Sequence, residues 1–225
     1  MLVSLFQSIL DGQPISFTSV VLEILVILFM IFLILPVHEF AHAGVAYLLG
    51  DKSIKHRDRL SLNPLKHIDI GGALCMLLVG FGWAKPVPVN PRNFRYPKLY
   101  MGITAFAGPL SNILCGMLGG AVALGLFYFV PSFFSTQASG YVMYFLEYYI
   151  EINIMLAVFN LIPLPPLDGS KVLFIFLPDK IVEFLYSIER YSFIIIVALL
   201  YTGVLDKVLV FFSNILLKLC FFFQI

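Results

Sequence analysis

The chain has 225 residues, 60% of them apolar and only 12% charged, with 23 Phe, a net charge of +1 and a mean hydropathy of +0.98. Soluble domains carry about 25% charged residues, so a soluble globular chain is excluded. The balanced charge also leaves no basic surplus for nucleic acid, and what fits is an all-α, multi-pass membrane protein with the lipid bilayer around it.

Residues 1–17 open on a short apolar stretch that Asp11-Gly12-Gln13-Pro14 breaks. Apolar runs long enough to cross a bilayer follow at 20–49, 101–130, 141–164, 191–205 and 209–225, which predicts about five to six transmembrane helices. The first run lacks a basic leader and a small-residue cleavage site, so it reads as a retained span rather than a signal peptide. Cys75, Cys115 and Cys220 are scattered without metal-site or disulfide spacing and read as buried packing.

Inside that first span stands His38-Glu39-Phe40-Ala41-His42. Residues four apart share a helix face, so His38 and His42 can bind one zinc ion through imidazole nitrogens, with Glu39 beside them as general base. Ionisable side chains at membrane depth are costly unless paired or metal-bound, and no Lys or Arg is near in sequence. Pro36 removes a backbone donor two residues earlier, which predicts a kink that opens a carbonyl next to the metal.

Of the 14 Lys and Arg, 9 fall between Lys52 and Lys98, against Asp51, Asp58 and Asp69, so residues 50–100 are expected on the cytoplasmic side of a cell membrane. Residues 71–82 are apolar but too short and Gly-rich to span, and they lead into Trp83-Ala84-Lys85-Pro86-Val87-Pro88-Val89. Alternating Pro and Val favour extended chain, so residues 79–89 are expected to form a β-hairpin or extended loop dipping into the cytoplasmic side of the membrane.

A catalytic zinc needs a third protein ligand and a place for water. No Glu occurs between Glu39 and Glu147, and Val45 and Leu48 stand where a downstream zinc-protease helix would need Gly and His. The strongest distant ligand is Asp168, after the proline-broken stretch Asn160-Leu161-Ile162-Pro163-Leu164-Pro165-Pro166-Leu167, where the alternative role is a helix N-cap. Asn160, on the same segment, could orient a substrate carbonyl or make an interhelical hydrogen bond. His56 and His67 are rival ligands expected to be solvated in the polar segment.

Together the His38–His42 motif, Gly108-Pro109-Leu110-Ser111-Asn112, the 160–169 segment and Phe81 to Asn90 resemble the site-2 protease family of intramembrane zinc metalloproteases, in its compact bacterial form without PDZ or CBS domain. The resemblance runs from about residue 20 to 175 and implies one zinc per chain on His38, His42 and Asp168, catalysis by Glu39 and substrate contact by Asn160 and Asn112. A single intramembrane domain over 1–225 is expected: the zinc-motif span 20–49, the loop and hairpin 50–100, spans at 101–130 and 141–175, and C-terminal spans in 181–225. Substrates would be transmembrane proteins or peptides, cleaved in or near their spans in regulated intramembrane proteolysis and held extended along the Trp83 and Val87 edge by strand addition. The competing class is a membrane metal-ion transporter or binding protein, which has no evident need for Glu39.

Overall fold

A computed structural model describes residues 24–25, 28–79, 82–136 and 138–220. The lead-in at 1–17 and the start of the first span lie outside the described residues. Two compact units divide the chain between Asn93 and Phe94.

In the first unit a π-helical turn, Met30–Ile34, runs directly into α1, Leu35–Leu48. Leu35 N–H donates to the Met30 carbonyl five residues back, and Pro36 occupies the first turn of α1, where a missing N–H is tolerated. The expected disturbance at Pro36 therefore takes the form of a widened turn just before it, with the helix continuous through the His motif. Positive φ at Gly50 ends the helix. The short helix α2, Ser53–His56, follows and buries Ile54.

Asp51 organises this end of the unit. It is 0% exposed and its carboxylate accepts from Ser53 N at 3.2 Å, Ser53 Oγ at 2.6 Å, Asn90 N at 2.7 Å and Asn93 Nδ2 at 2.6 Å. Burial alone would raise its pKa; these donors outweigh that and hold the carboxyl below its ordinary 3.8. One side chain thus ties the 90–93 segment to the end of the zinc-motif helix.

The apolar stretch expected to be too short to span forms helix α3, Ile70–Val79, with Asp69 Oδ1 capping it by accepting from Gly72 N at 2.8 Å. The 82–90 stretch has no helix and takes the extended-loop form, joined to the preceding segment by a single antiparallel bridge between Ile68 and Ala84. No β-sheet forms among the described residues, and positions 80–81 lie outside them. Glycine permits the close contact of α3 with this stretch: a Cβ on Gly72 would meet the Trp83 carbonyl oxygen at 2.0 Å, and one on Gly82 would meet the Gly72 oxygen at 2.1 Å.

The second unit is built on two long helices, α4, Pro97–Phe129, and α5, Ala138–Leu161. Small residues on α4 let the backbones approach: Gly116 and Gly119 face Ile154 and Ile150 of α5. Then follow α6, Asp168–Phe174, the amphipathic α7, Asp179–Ile188, α8, Ser192–Tyr201, and α9, Val204–Cys220, with Gly203 at φ +68° between the last two. Ile150, Ile154, Val158, Leu167, Ile196, Leu205, Leu209 and Cys220 form the core.

Met30–Leu48, Pro97–Phe129 and Ser139–Leu161 are long and apolar enough to cross a membrane among the described residues. Large apolar side chains point outward, with Phe129 86% and Tyr201 92% exposed, as expected where lipid is the solvent. The chain is an all-α membrane protein.

Candidate active site

The α1 helix places His38 and His42 one turn apart on a buried face, their Nε2 atoms 3.0 Å apart and their ring centroids 4.6 Å apart. A tetrahedral zinc with Zn–N bonds near 2.0–2.1 Å separates two ligating nitrogens by about 3.3 Å, so this pair fits one zinc ion with little adjustment. Glu39 is buried beside them. The helix gains nothing from hiding two imidazoles and a carboxylate in an apolar span, which is why the burial points to chemistry.

Asp168 is the first residue of α6 rather than its N-cap, which is Leu167, and it too is buried. Lys171 Nζ stands 3.7 Å from its Oδ1, a cation that the spacing of i and i+3 on a helix makes available. The preceding proline turn, with a cis bond between Pro165 and Pro166, brings the chain back so closely that a Cβ on Gly169 would sit 2.1 Å from the Leu161 carbonyl oxygen. Gly169 is thereby required for this geometry, and with it the placement of Asp168.

Asn160 lies in the last turn of α5, half-buried, and its Nδ2 donates to the Leu156 carbonyl at 2.9 Å. Asn112 is deep in the second unit, donating to Asn153 Oδ1 at 3.3 Å, while Asn153 Nδ2 donates to the Tyr149 carbonyl at 2.8 Å. That is an interhelical polar clamp between α4 and α5. Asn153, missed in the sequence, was detectable only as an unexplained Asn in an apolar run.

Two further differences concern the first unit. His56 is exposed, as expected, but His67 is buried, with Nε2 2.7 Å from the Ser61 carbonyl oxygen. It is not the solvated side chain the polar surroundings suggested, because Ser61 covers its Nε2 and Ile31, Leu35, Met76 and Trp83 lie around it. In the extended stretch, Lys85 N–H donates to the His67 carbonyl at 2.8 Å, and Val89 N–H donates to the Val87 carbonyl at 2.9 Å across Pro88. The second bond turns the chain and ends the extended run at Val87. Since alternate residues point their amides to opposite sides, Ala84, next to Lys85, directs its N–H to the outer edge. Trp83 is half-exposed alongside it.

Comparison with known proteins bears on both halves. The model of peptidase family M50 matches residues 129–202, which contain Asn160 and Asp168. A Bacillus subtilis protein named as a zinc metalloprotease, YwhC, is 38% identical over 165 residues, covering 73% of this chain and 75% of that relative. The chain belongs to peptidase family M50, the site-2 proteases. A Mycolicibacterium smegmatis protein also named as a zinc metalloprotease, Rip2, is 29% identical over 181 residues, covering 77% of this chain and 65% of that relative. No solved structure gives a significant match. This M50 member is an intramembrane zinc metalloprotease of the site-2 type.

Proposed function

We propose that the two units form one intramembrane protease domain in which His38, His42 and Asp168 ligate one zinc ion, Glu39 is the general base and Asn160 contacts the substrate. The observation that carries the reading is the buried His38–His42 pair flanking Glu39 on a helix apolar enough to span a membrane. The buried carboxylate of Asp168, held by a glycine-dependent turn, supplies the remaining anionic ligand.

Bound zinc supplies Lewis acidity and a water of lowered pKa. Glu39 takes the proton of the attacking water and returns it to the leaving amine nitrogen, and its burial strengthens that exchange. Asn160 keeps one amide hydrogen for the scissile carbonyl oxygen while the other holds Leu156. Substrates are transmembrane proteins, cleaved in or near their spans in the regulated release of membrane-bound domains. A transmembrane helix hides its carbonyls in its own hydrogen bonds, so the substrate unwinds and pairs with the outer edge of residues 83–87.

The protein would lie in the cytoplasmic membrane of a bacterium with residues 50–100 on the cytoplasmic side, given their basic surplus. Helix α9, 17 residues and about 25 Å long, would be a fourth span, whereas α8 at about 15 Å is too short to cross alone.

One experiment tests the function. Purified Glu39→Gln should retain zinc and lose cleavage of a membrane substrate by about 10²–10⁴-fold. Wild-type turnover by that variant would overturn the role of Glu39, whereas zinc-loaded wild-type protein that cleaves no membrane substrate would leave a metal-handling protein as the better reading.

A further inference from the structure

His67 is 1% exposed, and its Nε2 is bonded to a carbonyl oxygen, which can only accept. Nε2 therefore carries the hydrogen, and Nδ1 presents a lone pair. That Nδ1 has no hydrogen-bond partner among the described residues. Beside the imidazole lies a small cavity, with room for about one water-sized group, walled by Ile31, Leu35, Met76, Trp83 and Ala84. Asp69 also lines it, but its Oδ1 is engaged in capping α3.

The position of this cavity connects it to the proposed reaction. Leu35 lies one helical turn before Glu39 on the same face of the helix, and Ala84 belongs to the extended edge. A substrate chain unwound beside this wall turns alternate side chains toward it. The wall offers apolar contact and only acceptors, Nδ1 of His67 and the carboxylate of Asp69, so it suits a very small side chain that carries a donor.

We infer that His67 is a specificity-determining residue, with Nδ1 accepting a hydrogen bond from a serine hydroxyl of the substrate seated in this cavity. The inference rests on the proteolytic reading above. It names a preference that neither zinc ligation nor Glu39 explains, because both act on the scissile peptide of any substrate.

The test is a set of otherwise identical transmembrane peptides in which each of several positions flanking the scissile bond carries Ser or Ala in turn. In detergent, the wild-type protein should prefer Ser over Ala at one of these positions by about tenfold in kcat/KM, the scale of one hydrogen bond in a buried site. His67→Gln keeps a donor for the Ser61 carbonyl and has a methylene where Nδ1 stood, its one acceptor lying at the far end beside that donor, so it should cleave the Ala peptide at the wild-type rate with the Ser preference gone. Ala73→Val, which fills the cavity and leaves His67 in place, should do the same. A wild-type protein without a Ser preference at any position overturns the inference while leaving the protease reading intact. An equal loss on Ser and Ala peptides in folded, zinc-loaded His67→Gln also overturns it, since that is the signature of a structural acceptor or a bound water. If the wild type cleaves none of the peptides, including those with Ala, the proteolytic reading falls and takes this inference with it.

Discussion

His38 Nε2 and His42 Nε2 lie 3.0 Å apart with ring planes at 86°, both buried on one face of α1. Two imidazoles gain little from such an approach in an apolar span, but a shared metal uses both lone pairs. Purified protein should carry one zinc per chain, and His38→Ala or His42→Ala should remove it with the loss of all cleavage. Asp168→Ala should weaken retention against a chelator titration. Full zinc occupancy and normal activity in Asp168→Ala would remove that residue from the ligand set.

Gly169→Ala addresses the placement of Asp168 without altering a ligand. The added methyl would meet the carbonyls of Leu161 and Ile162 at 2.1 and 2.6 Å, and these are backbone atoms that cannot swing aside. A destabilisation of about 1–3 kcal/mol is expected, with reduced zinc content at equal protein. Thermal unfolding in detergent together with metal analysis checks both.

Asp51 should make the first unit sensitive to acid. Its folded pKa lies below the ordinary 3.8, so as pH falls the unfolded chain takes up the proton first. The stabilisation is complete well above that value and is lost as pH drops through the folded pKa. Asp51→Asn should cost about 1–3 kcal/mol at neutral pH, because an amide cannot accept from all four donors, and should flatten the decline in melting temperature between about pH 5 and 3. A variant that declines as steeply as wild type would assign the acid sensitivity elsewhere.

Orientation is testable at Arg57, which is exposed just after α2. A cysteine introduced there, in a background lacking Cys75, Cys115 and Cys220, should react with a membrane-impermeant thiol reagent only after cells are opened. Reaction in intact cells would invert the topology.

The extended edge can be probed by removing single donors. Val87→Pro and Ala84→Pro each delete one N–H, and Ala84 carries the one aimed outward. Ala84→Pro should lower cleavage more than Val87→Pro, provided zinc content and melting temperature are kept. The reverse order, in folded and loaded protein, would place the substrate strand along a different edge.

The metal helix was legible in sequence because its signal is local: His38, Glu39 and His42 need only the pitch of one helix to share a face, and an apolar run guarantees that helix in lipid. The same holds for the three long spans and for the proline break before Asp168. The residues around the edge were not legible, since their states depend on contacts between distant segments. His67 has polar neighbours in sequence and is buried among Ile31, Leu35, Met76 and Trp83, with the Ser61 carbonyl on its Nε2. The composition of residues 71–82 says only that they are too short to span; Asp69 caps residues 70–79 into a helix, and glycines let that helix lie against Trp83. Asn112 carries no sequence mark that distinguishes substrate contact from the clamp it makes with Asn153, 41 positions away. Helical pitch and hydropathy are written into neighbouring residues, whereas the partner of a buried polar atom is set by whichever backbone or side chain packing brings to it.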